Sequence, residues 1–417
     1  MIFSEYTICI FVVFFRITAS AGIPDVVTKS SEASDISSNT SIPLGIDLQP
    51  IDDENLGVGR LNLDLDPNIG IENETSDCKH QCVWYYQCSN GSINTNGAGI
   101  INIREKDLPC GDIFHVCCKL EDVSTSPITP APPPVSRPKG CGYRRSNGIG
   151  IRITGDEAGE SQFGEFPWMV AIFKNVGPND VSPFPKCGGA LIHPQAVITA
   201  AHCVTNKAHQ FLVRAGEWNL NVASEPFLHQ DVPVRSVKIH HEFYSGALFN
   251  DIAFLYLDKP VELAANVEVI CLPPQNFSHR AASGRCFSTG WGKNREGRDG
   301  QYQSIMKKID LPFVPRDTCQ AQLRKTRLGN FFNLHRSFMC AGGEKDKDAC
   351  TGDGGSPLVC PLEGPVERYY QAGIVAWGIG CGDADVPGVY VDVGQFREWI
   401  DEQMRFNGLE TGGYVTD

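Results

Sequence analysis

Residues 22–77 contain no phenylalanine, tryptophan or tyrosine, and only two basic side chains, Lys29 and Arg60, against 12 acidic ones. That balance places −10 of the chain's net −13 in this one segment. With so little to bury, the segment cannot offset its ordering entropy and is expected to be disordered. An acidic arm of this kind can meet a basic partner, although most such runs are only solvated. After residue 21 no stretch is long and apolar enough to cross a bilayer, which takes ~20 residues as a helix. There are no repeated CxxC pairs, no His-rich tract and no internal repeat, which argues against zinc as the purpose of the cysteines. The net negative charge argues against nucleic acid as a partner.

What is present begins with an apolar run, Tyr6–Phe15, followed by the small residues Ala19-Ser20-Ala21. Residues 1–21 therefore read as a secretory signal with an unusual acidic Glu5 and no lysine near the start. The apolar core is too short for a membrane anchor. Of the 17 cysteines, Cys9 lies in this segment, which leaves 16. An even number of cysteines in a secreted chain reads as a disulfide framework. Asn39, Asn73, Asn90 and Asn276 stand in glycosylation sequons.

Six cysteines fall within residues 78–118: Cys78, Cys82, Cys88, Cys110, Cys117 and Cys118. A module this small needs covalent staples, and three disulfides would supply them. Spacing alone leaves about fifteen pairings open. Residues 119–140 then form a linker, with Pro127, Pro130, Pro132–Pro134 and Pro138 giving a semi-stiff spacer that holds the module away from the larger C-terminal part or lets it swing. Residues 141–405 change to short β-rich runs between Gly and Pro turns, and 406–417 form a tail. Strands are expected over Phe166–Phe173, Ala190–Thr199, Phe211–Glu217, Ile252–Leu257, Cys286–Gly290, Gln371–Gly378 and Val389–Val393. Phe396, Trp399, Ile400 and Met404 repeat at helical spacing, predicting one terminal amphipathic helix. The fold class is all-β, a barrel or sandwich.

Acyl transfer by serine needs a hydroxyl, an imidazole to take its proton and a buried carboxylate to orient the imidazole. Ile198-Thr199-Ala200-Ala201-His202-Cys203 and Asn250-Asp251-Ile252-Ala253 supply the last two in matching contexts, followed by CTGDGGSPLVC from Cys350 to Cys360. From about Ile153 to Met404 the chain resembles the chymotrypsin-like serine proteases, which implies a double β-barrel with a C-terminal helix. The order of His202, Asp251 and nucleophile loop is that family's order. The family's loop reads Gly-Asp-Ser-Gly-Gly-Pro. Here Gly354 stands where the attacking serine belongs, and Ser356 arrives two places late. Two residues displace a side chain by roughly 5–7 Å, whereas proton transfer needs the hydroxyl within about 3.2 Å of the imidazole. The chain is therefore expected to be a pseudoprotease with no active catalytic residue, His202 and Asp251 being remnants. Losing the nucleophile in a comparable enzyme costs about 10⁶ in turnover. A cryptic protease using Ser356 or a water is the least favoured reading.

The resemblance further implies that Asp348, Gly378 and Gly388 line an S1-like pocket beside Trp377, with Ala376 departing from the usual serine. It implies the disulfides Cys141–Cys271, Cys187–Cys203, Cys286–Cys360, Cys319–Cys340 and Cys350–Cys381. Arg152-Ile153-Thr154-Gly155 resembles an activation site whose freed amino terminus pairs with Asp353, although Ile-Thr-Gly-Asp departs from the usual Ile-Val-Gly-Gly. Glu217 and Glu225, with carbonyls from Asn219 and Val222, resemble a calcium loop, although it is two residues shorter than the trypsin pattern; the resemblance implies a structural calcium, the alternative being two solvated surface glutamates.

The adjacent Cys117-Cys118 is similar to the end of the clip domain of arthropod extracellular serine proteases. That likeness implies Cys78–Cys117, Cys82–Cys110 and Cys88–Cys118, which completes the use of all 16 cysteines. Arg104-Glu105, in the long Cys88–Cys110 loop, is a second candidate cleavage site for a trypsin-like protease. Clip module, linker, Gly354 and the run Gly164-Glu165-Phe166-Pro167-Trp168-Met169 together resemble clip-domain serine protease homologs of the masquerade or prophenoloxidase-activating-factor type. The resemblance implies a secreted haemolymph protein, a non-catalytic cofactor whose partners are prophenoloxidase and an active clip-domain protease, and which assembles after cleavage. The competing reading is recognition of, or adhesion to, microbial surfaces.

Overall fold

A computed structural model of the chain describes residues 78–416 except 85–86, 89–98, 103–108, 112, 124–139, 150, 155–158, 178–179, 182–183, 223–224, 280–284, 294–298, 346–352, 365 and 381. The expected signal, the acidic segment 22–77 and residues 124–139 of the linker lie outside these residues.

The small cysteine-rich module contributes β1 (Gln81–Trp84), β2 (Gly99–Asn102) and β3 (His115–Cys118). Strands β1 and β3 pair antiparallel, with Cys82 opposite Cys117. Successive residues of a strand face opposite sides, so the neighbours Cys117 and Cys118 reach different partners, Cys78 and Cys88. Cys82–Cys110 closes the third loop. The module is not held off by its linker. Phe114, fully buried, meets Trp218 edge-on at 6.3 Å within the core of the large domain. In addition, β2 pairs in parallel with β4 (Ile151–Thr154).

The large domain opens with β5 (Met169–Gly177), β6 (Asp180–Val181), β7 (Cys187–His193), β8 (Ala196–Thr199), β9 (Phe211–Ala215), β10 (Gln230–Ile239) and β11 (Ala253–Leu257). The sheet runs β6-β5-β7-β8-β11-β10-β9, and a further β5–β9 pairing closes it into a barrel. Closure leaves the barrel strands no free edge, and alternate residues such as Phe211, Val213 and Ala215 fill the interior. The run Ala190–Thr199, expected as one strand, is a hairpin broken at Pro194-Gln195, where proline has no N–H for the ladder. Strand β10 escapes the period-two reading because a bulge between Val234 and Ser236 shifts its buried face from Val232 and Val234 to Val237.

The second half adds β12 (Cys286–Gly290), β13 (Lys307–Leu311), β14 (Phe313–Val314), β15 (Phe338–Gly342), β16 (Pro357–Pro361), β17 (Tyr369–Trp377) and β18 (Pro387–Asp392). Its sheet runs β13-β12-β16-β17-β18-β15-β14. Only Pro312 separates β13 from β14, so one run of chain pairs with β12 at its start and β15 at its end, curling the sheet round. Helix α1 (Arg316–Arg324) is additional to the expected elements: it buries only Cys319 and Leu323, too few positions for a periodic signal. Helix α2 (Arg397–Phe406) buries Ile400 and Met404, in the place expected of the terminal helix. Among the described residues no helix is long and apolar enough to cross a membrane.

Candidate functional site

His202 sits in a single 3-10 turn, Ala201–Cys203, directly after β8, and Cys187–Cys203 ties that turn to β7. Asp251, fully buried, immediately precedes Ile252 and β11. Its neighbour Asn250 adopts a left-handed backbone (φ 54°), a conformation asparagine tolerates better than most residues. The Asn250 N–H donates to Ser337 Oγ at 3.1 Å and its side-chain amide to the Glu242 carbonyl at 2.9 Å, which fixes the bend. Asp251 then grips His202 twice: Oδ1 accepts the backbone N–H at 2.8 Å and Oδ2 lies 2.6 Å from Nδ1. This pair of contacts leaves Nε2 as the working face of the imidazole, as a general base requires.

That face meets Gly354. A Cβ built there would lie 2.7 Å from His202 Nε2 and 3.7 Å from Cys187 Sγ. The loop around it is pinned: the Gly354 carbonyl accepts the Gly188 N–H at 3.0 Å, and Gly355 donates to the Val375 carbonyl at 3.0 Å. Gly355 has φ +79°, and a Cβ on it would come within 2.6 Å of the Gly188 carbonyl oxygen, so no larger residue fits. Ser356 is 1% exposed, with its hydroxyl packed against Gly188 and Gly290 and without a hydrogen-bond partner. It is part of the barrel wall and makes no hydrogen bond to His202.

Asp353 lies in the crook of two glycines. Its Oδ1 accepts the Gly292 N–H at 2.9 Å, and a Cβ on Gly292 would sit 2.5 Å from its carboxyl carbon. Ile153 is buried while still joined to Arg152, so its nitrogen is an amide and not the ammonium that would pair with Asp353. Arg152 itself is exposed. The other cleavage candidates, Arg104 and Glu105, lie outside the described residues.

Of the S1-like residues, Gly388 is buried in β18 opposite Ala341, and Gly378 is exposed just after β17. Trp377 stands against Phe332 and Phe338 at 6.1 and 5.9 Å. Asp348, the expected base of the pocket, lies outside the described residues, as does Cys350–Cys381. Cys141–Cys271, Cys286–Cys360 and Cys319–Cys340 are formed. Asn276 is exposed on a turn with φ 57°; Asn39, Asn73 and Asn90 lie outside the described residues.

The calcium candidates come together in part. Glu217 Oε1 and Glu225 Oε1 both accept the Trp218 N–H, at 3.0 and 3.2 Å, and Glu225 takes the Asn219 N–H at 2.7 Å. Burial, and then the neighbouring Glu217 carboxylate, push Glu225 up to about 9. Its Oε2 is buried with no partner, the oxygen that a cation or a proton would satisfy. On the other side, Arg214 and His229 lie 3.1 and 3.3 Å from Glu217 Oε2. The Asn219 carbonyl accepts the Val222 N–H at 3.0 Å. Of the carboxylate oxygens of this pair, Glu225 Oε2 is the one left without a partner, while Glu217 already faces Arg214 and His229.

Sequence reasoning missed three residues that organise this region. Gln162 hydrogen-bonds the backbone of Ile153 on both sides, at 2.7 and 3.1 Å. Phe114 docks the small module. Glu165, fully buried, takes Arg144 at 2.5 Å and Lys308 at 2.9 Å, clamping the segment after Cys141. Only Glu165 carried a sequence signal, through its place in the Gly164–Met169 run.

The trypsin family model matches residues 156–400, and the model described as serine protease clip domain PPAF-2 matches residues 70–119. Phenoloxidase-activating factor 2 of Galleria mellonella is 54% identical over 297 residues, 69% of this chain and 97% of that protein. Inactive CLIP domain-containing serine protease A28 of Anopheles gambiae is 37% identical over 353 residues, 80% of this chain and 91% of that protein. Protein masquerade of Drosophila melanogaster is 40% identical over 261 residues, 62% of this chain and 24% of that protein. A trypsin-type double barrel with the base and its carboxylate in place, a glycine facing them and a clip module at the front place this chain in the family of clip-domain serine protease homologs.

Proposed function

We propose that this protein is a secreted, non-catalytic cofactor in prophenoloxidase activation, working beside an active clip-domain protease in arthropod haemolymph. The observation that carries the reading is the contact between Gly354 and His202 in an otherwise retained site. A base and its orienting carboxylate have no hydroxyl at 354 to activate, and the Ser356 hydroxyl is buried against Gly188 and Gly290. The names of two relatives agree, one a phenoloxidase-activating factor and one an inactive clip-domain protease. In this reading the preserved barrels are a rigid scaffold, and cleavage by a trypsin-like protease makes the protein competent to assemble with its partners. A structural calcium held by Glu217 and Glu225 stiffens the loop on which the clip module rests.

The test is a reconstitution. Purified prophenoloxidase and an active clip protease are mixed with and without this protein, cut or uncut, and phenoloxidase activity is read. Activity rising only with the cut form supports the cofactor reading. No change while prophenoloxidase is fully processed rejects it. One observation favours recognition of anionic microbial surfaces instead: Phe331, 97% exposed, stands on a loop with exposed Lys325 and Arg327. Binding to bacteria without any effect on phenoloxidase would select that reading.

A further inference from the structure

By sequence, Arg152–Ile153 is a bond that a trypsin-like protease would cut, since the basic Arg152 is exposed. A protease takes its substrate as an extended strand, drawing out the residues on both sides of the bond and pairing with their backbone groups. At Ile153 those groups are already taken. The Ile153 N–H donates to Gln162 Oε1 at 2.7 Å, and Gln162 Nε2 donates to the Ile153 carbonyl at 3.1 Å. One side-chain amide thus supplies the donor and acceptor that a neighbouring strand would supply. The Ile153 side chain is 1% exposed, so presenting the bond means pulling an isoleucine out of the core.

Two further contacts hold the arrangement. Gln162 is itself buried, and its backbone N–H donates to Glu165 Oε2 at 2.7 Å, while Glu165 is fixed by Arg144 and Lys308. From the clip module, Gly99–Asn102 pair in parallel register with Ile151–Thr154, placing Ile100 opposite Arg152 and Ile101 opposite Ile153. The bond is therefore held by the large domain through Gln162 and by the clip module through a strand.

We propose that Gln162 and the clip strand β2 form a shield that keeps the Arg152–Ile153 bond uncut in the folded protein. Trypsin-like processing then enters elsewhere, and the chain stays continuous across this junction. Ile153 keeps an amide nitrogen, so no ion pair to Asp353 forms, and the Asp353 carboxylate remains on the Gly292 N–H. The inference rests on the reading that a trypsin-like protease processes this protein, and it names which bond that protease leaves alone.

The experiment is limited digestion of the full chain with trypsin, following the amino terminus at Ile153 by N-terminal sequencing and mass spectrometry. In the wild type this terminus is expected to be absent at the time when half of the chains have been cut at other Arg or Lys bonds. In Gln162→Ala it should form at least ~10-fold faster, because proteolysis of a protected bond follows the population of its open form. Gln162→Glu retains an acceptor for the Ile153 N–H and should fall between the two. An Arg152→Gln change in the Gln162→Ala background should abolish the product. Should Gln162→Ala fail to fold, hydrogen exchange of the wild type gives the answer: the Ile153 amide is expected among the slowly exchanging core amides. An Ile153 amide that exchanges like an exposed loop, or wild type cut at 152–153 as fast as the alanine variant, overturns the shield. A partner clip protease that leaves the chain uncut everywhere removes the processing reading, while the trypsin result still reports on the shield.

Discussion

His202 Nε2 occupies the space beside Gly354 where a nucleophile's Cβ would stand, 2.7 Å from the position that atom would take. Real Cβ atoms do not approach other atoms so closely, so a side chain at 354 requires the imidazole to shift. Asp251 holds the ring from behind through both carboxylate oxygens. Replacing the missing hydroxyl therefore means displacing the base that should serve it.

From this contact, Gly354→Ser is expected to leave the protein inactive toward arginine ester substrates and unlabelled by a fluorophosphonate probe. Labelling at the rate of an ordinary trypsin-like enzyme would show that the hydroxyl alone was missing.

His240 should make the fold acid-sensitive. It is buried, its Nδ1 accepts the Glu242 N–H at 3.2 Å, and its ring packs on Phe396 and Trp399 at 5.1 and 5.2 Å. Burial, and then the neighbouring His241, push it down to about 4. A histidine depressed in the folded state contributes stability that is complete above its ordinary value and is lost as pH falls toward about 4. The urea midpoint should drop between pH ~6.5 and ~4, and His240→Asn, which retains an acceptor, should flatten that part of the curve.

Glu225 gives the opposite slope. Its carboxyl, raised to about 9, favours the protonated form in the fold. Without a cation, stability should be full below the ordinary carboxylate range and should decline as pH rises through about 9. Calcium should cancel the decline. A thermal melt at about pH 8, above the ordinary carboxylate range, is expected to rise on adding calcium and fall with a chelator, and Glu225→Gln should raise the calcium-free midpoint and remove the response. No response in the wild type would reject the calcium site.

Phe114→Ala tests the clip dock. The side chain is fully buried against Trp218, with Phe163 on the same indole at 6.0 Å. Loss of a buried phenylalanine costs about 3–5 kcal/mol, here drawn from the attachment of the clip module. Small-angle scattering should then show a larger radius of gyration while the melting of the large domain changes little. An unchanged radius would mean that β2 and β4 suffice to hold the module.

Much of the architecture was legible from local chemistry. The strand Ala253–Leu257 lies in a run of apolar residues bounded by polar ones, and its signal survives in sequence. Where the backbone departs from the regular period, reading fails, as at the bulge in β10 and the Pro194 turn. His202 and Asp251 were legible because each stands in a long distinctive run, and Gly354 because a glycine cannot hide the loss of a hydroxyl. The Glu217–Glu225 loop was half legible: its carboxylates could be named, but the approach of Arg214 and His229 to Glu217 could not.

The sequence by itself determined that position 354 carries no hydroxyl, since no fold can give a glycine a side chain, and it determined the composition that demands disulfides. Tertiary structure alone decided where Ser356 points, what Gln162 holds and where the clip module rests. Those outcomes depend on contacts between residues far apart in the chain, Phe114 with Trp218, Arg144 with Glu367 and Glu165 with Lys308. Side-chain packing selects such pairs by shape and desolvation, and neither quantity exists until the barrels have closed.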